Sequence, residues 1–166
     1  PPPPLPRSGF GSYYPVYPVH IELGAFDASA HDGVRDTLVD TGAAPHIEVD
    51  ANAGFAHTQP PHETITIVTG TSTTHVALIG THVQYLLGMG PDYTVVRDER
   101  HGVFIPDNFS RPLYSERLAY RDNGVIIQFA GCNTMTFPCG TVVPFRDTGK
   151  SYLLARYFSE DAAQDA

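Results

Sequence analysis

Apolar and polar residues alternate with a period of two along much of this chain, the spacing that sets one face of an extended strand against a core. The stretch "VHIELGAF" from Val19 alternates in this way, and "DGVRDTLVD" follows after a turn-rich "DASAHDG". "ETITIVTGTSTTHVALIG" is rich in Thr, Ile and Val and predicts a hairpin turning near residues 70–73. "YTVVRDERHGVFIP" predicts a strand, a polar turn at residues 98–102 and a partner strand. One helix is expected: Ser110 can cap it, Pro112 suits its first turn, Leu113, Arg117, Leu118 and Tyr120 recur at helical spacing, and Asn123-Gly124 ends it. "GVIIQFAG", "TVVPF" and "SYLLARYF" read as three more buried segments. The fold class is therefore mainly β with one short helix.

The two ends break this pattern. Residues 1–18, "PPPPLPRSGFGSYYPVYP", hold too many prolines for a helix or a central strand and predict an extended polyproline arm or linker. Its PxxP character and the tyrosines Tyr13, Tyr14 and Tyr17 suit either a plain linker or a segment that docks on a partner. Residues 159–166, "SEDAAQDA", form an acidic tail expected to be solvated.

Composition narrows the partners. With 166 residues, 42% of them hydrophobic, the chain can bury one core. Its 18 acidic against 10 basic residues give a formal charge of -8, which argues against nucleic acid or an anionic membrane surface as a partner. Lys150 is the only lysine, and no apolar run approaches the length of a membrane span or a signal segment, so a soluble protein is expected. A chain that opens on Pro1 and has its first methionine at Met89 is expected to be either a trimmed chain or a piece released from a longer precursor. Cys132 and Cys139 lie close enough in sequence to bridge across a hairpin, and free thiols are the other reading. The eight histidines are scattered without ligand spacing, so no metal and no cofactor are expected. No G-x-S-x-G or comparable signature marks a serine or cysteine nucleophile, and the Asn108 sequon reads as a surface loop.

The candidate chemistry lies in residues 37–47, "TLVDTGAAPHI". Leu38 and Val39 run into Asp40, Thr41 and Gly42, then small Ala43 and Ala44. Two carboxylates sharing one proton can activate water and protonate a scissile carbonyl, which calls for an Asp at a tight turn leaving a buried strand. This stretch resembles the retropepsin-like family, the retroviral and retrotransposon type of aspartic protease. The resemblance implies an all-β closed barrel half covering residues 19–106, active only as a homodimer in which each subunit gives one Asp. It implies a peptide or polyprotein substrate, with Asp40, Thr41 and Gly42 catalytic and Ala43 and Ala44 beside the peptide. A flap would span residues 69–74, with Thr69, Gly70 and Thr71 over the substrate. The family's buried pair of aliphatics followed by Gly is matched by Leu86, Leu87 and Gly88. Residues 107–158 would then be a C-terminal extension, with strands and the helix, packed on the same core.

A second triplet, Asp147-Thr148-Gly149, lacks room for a second half and has charged Arg146 and Lys150 as flanks, so it is expected to be a polar turn. Catalysis would rest on Asp40 doubled by dimer symmetry. The competing reading is a non-enzymatic β-rich subunit of a viral or other large assembly, such as a capsid or appendage component, in which "VDTGAA" is an ordinary turn.

Overall fold

A computed structural model describes residues 7–8, 11–15, 35–90 and 93–166 of the chain. The expected strand at residues 19–26 lies outside them. The elements run β1 (Arg7–Ser8), β2 (Gly11–Pro15), β3 (Thr37–Asp40), β4 (Phe55–Gln59), β5 (Ile65–Val68) and the two long strands β6 (Thr73–Leu87) and β7 (Val95–Pro106). Then β8 (Leu113–Ser115) leads directly into helix α1 (Glu116–Asn123). After it come β9 (Ile126–Gln128), β10 (Thr134–Thr136), β11 (Val142–Pro144), β12 (Arg146–Asp147), β13 (Tyr152–Leu154) and helix α2 (Glu160–Gln164). The protein is mainly β.

The described residues form three sheets. One has the order β1-β2-β5-β6-β4 with β7 also on β6, one is β11-β10-β9, and one is β12-β13-β3-β8. The first and last meet at Ile47, which bridges Phe104 of β7 on one side and Leu113 of β8 on the other. In the last sheet β3 lies between antiparallel β13 and parallel β8. Strands β3, β8 and β13 are buried on both faces. Val39, Tyr114 and Leu154 pack into one cluster with Leu86, Val125 and Met135, whereas Leu38, Leu113 and Leu153 pack into another with Ile47, Ile67 and Val76. Two-sided burial explains why these segments read as continuous apolar runs rather than as alternation.

Several expectations change. The opening arm contributes β1 and β2, and β2 runs parallel to β5, so its extended backbone is used for pairing there. The polar run at residues 98–102, expected to turn, continues β7 instead, because Asp98 and Arg100 point into the protein and find partners there. The long hairpin turns after Leu87, where Gly88 N–H bonds the Thr94 carbonyl at 2.8 Å. Helix α1 is capped by Ser115 rather than Ser110, since its Oγ accepts the Leu118 N–H, while Gly124 closes the other end in the left-handed conformation. The acidic end is largely exposed, as expected, but it forms a second helix capped by Ser159 that buries Ala163.

At the centre lies a buried ionic cluster. The carboxylate of Glu48 accepts from Arg100 Nη2 at 2.7 Å and from Arg156 Nη2 at 2.8 Å, and Arg156 Nη1 also reaches it. Arg100 also donates to His82 Nδ1 at 2.8 Å, so the His82 proton sits on Nε2, which donates to the Ala53 carbonyl at 3.0 Å. Burial pushes Glu48 up, but Arg156 and Arg100 outweigh it and hold the carboxyl at about 2. Burial, aided by Arg100, holds His82 at about 3. Asp98 accepts from Gln84 at 2.8 Å and from Asn123 at 3.0 Å, tying β6, β7 and the end of α1 together.

Three outcomes follow from this packing. Glu48→Gln leaves two buried guanidinium groups without a counter-charge and is expected to cost about 3–5 kcal/mol in urea unfolding. His82 has a folded pKa below its unfolded value of 6.5, so the unfolded chain binds the extra proton and stability falls as pH drops from 6.5 towards 3. His82→Gln should reduce that slope by about 1.4 kcal/mol per pH unit, read from unfolding curves between those limits. A Cβ on Gly80 would stand 2.0 Å from the His57 carbonyl oxygen, so Gly80→Ala should force β4 off β6 and lower stability by about 1–3 kcal/mol or more.

Candidate functional site

Asp40 ends β3, with buried Leu38 and Val39 before it. The chain turns there because Asp40 Oδ1 accepts the Gly42 N–H at 2.8 Å, a side-chain bond that mimics a backbone turn. Ala43 is buried, Thr41 is exposed and Ala44 is half-buried. Asp40 itself is only 1% exposed, and its Oδ2 is buried with no partner. Burial raises its pKa above 3.8, opposed by the backbone N–H groups of Gly42 and Ala43.

The turn is braced from one side. β8 runs parallel to β3 with Ser115 paired to Asp40. Ser115 Oγ donates to the Ala43 carbonyl at 2.7 Å, and the Ser115 N–H donates to Nδ1 of buried His46 at 2.9 Å. Thr41 stands on a crest between two open depressions. One, of about 400 Å³, is shared with Asp147, Lys150 and Tyr152. The other, of about 370 Å³, is shared with Glu116, Arg117, Tyr120 and Ile126. Tyr120 and Ile126 are exposed at 66% and 54%, leaving apolar surface beside the turn.

The second triplet folds into the same local turn, with Gly149 N–H on Asp147 Oδ1 at 2.8 Å. It caps the exposed tip of the β12–β13 hairpin, where Thr148 bonds Ser151 at 3.1 Å. Because Asp147 pairs with Tyr152 and Leu153 pairs with Leu38, Asp147 sits two strands across from β3. The two carboxyls form no pair.

The other proposed site residues are spread out. Thr69 bonds Ser72 across the β5–β6 turn, and Gly70 and Thr71 are exposed at its tip. That hairpin rises from Ile67 and Val76, which share a cluster with Leu38 and Ala43. Leu86 packs in the other cluster beside Val39. Gly88 is small for a packing reason, since a Cβ there would stand 2.5 Å from Thr141 Cγ2. Leu86 and Leu87 end β6, while the buried strand beside Asp40 reads Leu113-Tyr114-Ser115. The signal for it was present in "PLYSE", an apolar pair followed by a capping Ser and an acidic first helical residue. Cys132 and Cys139 are both free and exposed, flanking β10 at opposite ends. Among the described residues no group of three or more His, Cys, Asp or Glu side chains could hold a metal ion, and no helix is long and apolar enough to cross a membrane. No protein-family model, no curated protein and no solved structure matches the chain.

Proposed function

We propose that the protein is an aspartic endopeptidase of retropepsin-like architecture, working as a homodimer on extended, largely apolar peptide segments. The observation that carries this reading is Asp40: a buried carboxyl at a turn, with Oδ1 held by Gly42 and Oδ2 left without a partner. A buried polar atom without a bond costs about 1–3 kcal/mol. A second Asp40 reaches this oxygen only if the turn at residues 41–44 opens on dimerisation; it would then supply the missing partner and share the proton that the raised pKa favours. Exposed Thr41 would then meet its own copy, the depressions on either side would receive the peptide, and the β5–β6 turn at residues 69–72 would close over it.

One observation favours the other reading, a β-rich structural subunit. The exposed Asp147 triplet makes the same side-chain turn with no catalytic setting, so the turn alone needs no chemistry. Burial of Asp40 and its unpaired Oδ2 distinguish the two triplets and support the enzyme reading.

Cleavage of a mixed peptide library between about pH 4 and 7 tests the proposal. Wild type is expected to cleave, and Asp40→Asn to lose a factor of about 10²–10⁴ or more. No wild-type cleavage at protein concentrations where sedimentation shows dimer would sink the enzyme and leave the structural subunit. Independently, the folded pKa of Asp40 lies above its unfolded value of 3.8, so its ionisation penalises the folded chain as pH rises through the folded pKa. Asp40→Asn should therefore unfold at a higher temperature than wild type at pH 7 under monomeric conditions, and the gap should close below 3.8.

A further inference from the structure

Ser115 is fully buried where β8 passes into α1. A plain N-cap needs only an acceptor, and Ser115 provides one to the Leu118 N–H at 3.2 Å. Its hydroxyl also donates, to the Ala43 carbonyl at 2.7 Å. The Gly42 N–H bonds the Asp40 carboxyl at 2.8 Å, and the Ala43 backbone N–H also favours its ionised form. Behind Ser115, its own N–H is fixed by His46 Nδ1 at 2.9 Å, and the His46 ring packs on Tyr114 at 5.1 Å between centroids. The bonds thus run from the first turn of α1, through one hydroxyl, to the residue next to the turn glycine.

We infer that Ser115 is a positioning residue for Asp40: its hydroxyl ties the first turn of α1 to the Ala43 carbonyl and thereby locks the turn that presents backbone N–H groups to the Asp40 carboxyl. The geometry explains why Ser, which both donates and accepts, stands here rather than ionised Asp, which caps helices as well but only accepts. Ser115 sits beside Asp40 in the β3–β8 ladder, so the lock acts at the point where the chain leaves the strand. Any consequence for turnover rests on the aspartic protease reading; the positioning of the carboxyl does not. The ionisable groups around the turn are His46 behind Ser115, Glu116 and Arg117 at the start of α1, and Asp147 and Lys150 on the neighbouring hairpin tip. None of them is altered in the variants that test the lock.

The Asp40 carboxyl is titrated by carbon-detected NMR in wild type and in Ser115→Ala, Ser115→Gly and Ser115→Thr, with thermal unfolding of each. Gly is an acceptable N-cap, so the Gly variant removes the bond to Ala43 at little cost to the helix. Loss of the hydroxyl is expected to raise the Asp40 pKa by about one unit, a tenfold tighter proton, and Thr should restore the wild-type value. The acid limb of any cleavage profile should move with it. An unchanged Asp40 titration in the folded Gly variant overturns the inference, as does a loss of stability alone, which would leave Ser115 as a helix cap. A rise that Thr does not reverse also overturns it, because repacking would then be the cause. If wild type cleaves nothing, the enzyme reading fails while the titration still decides the role of Ser115.

Discussion

Glu48 is the residue on which the arrangement depends. It follows Ile47, which bridges β7 on one side and β8 on the other, and the Glu48 N–H bonds the Phe104 carbonyl at 2.9 Å. Its carboxylate then gathers Arg100 from β7 and Arg156 from the segment after β13. Arg156 reaches back to the Arg35 carbonyl at 3.0 Å, just before β3. One buried charge thus holds the entry to the candidate catalytic strand, the central hairpin and the C-terminal segment in a single register. Such a cluster adds little net stability over an apolar core, but it is unforgiving of any member's loss. Asp40 lies on the strand whose entry this cluster holds.

The two Asp-Thr-Gly triplets show how little a local motif decides. Both make the same bond from the turn glycine to the Asp side chain. At residue 147 the turn sits at a hairpin tip in water, where a carboxylate is well solvated. At residue 40 the same turn is enclosed by β8, β13 and the two clusters of buried side chains. Enclosure removes water from one carboxyl oxygen and leaves it without a bond, and from that the raised pKa and the proposed need for a second carboxyl follow.

Much of the strand content could be read directly. The hairpin around Gly70, the turn ending at Gly124 and the polar turn at Asp147 are set by local chemistry: β-branched alternation, a left-handed glycine and a charged flank. The strand through Asp98 and Arg100 misled because polar residues at inward positions look like a turn when their partners are distant in sequence. Arg100 meets Glu48 across fifty-two positions, a separation that no window of sequence spans. The helix start was displaced for a related reason: Leu113 and Tyr114 have helical spacing with later residues, yet pairing with β3 recruits them into a strand.

The sequence by itself determined a mainly β chain, one buried segment running into Asp-Thr-Gly, and a second triplet unfit to match it, because strand pattern and turn chemistry are local. Only the tertiary structure decided that Asp40 is buried with an unpaired oxygen, that β8 and Ser115 stand beside it, and that Glu48, Arg100, Arg156 and His82 meet at the centre. Burial and long-range partnership depend on which strands pair, and pairing is settled by the whole packed chain.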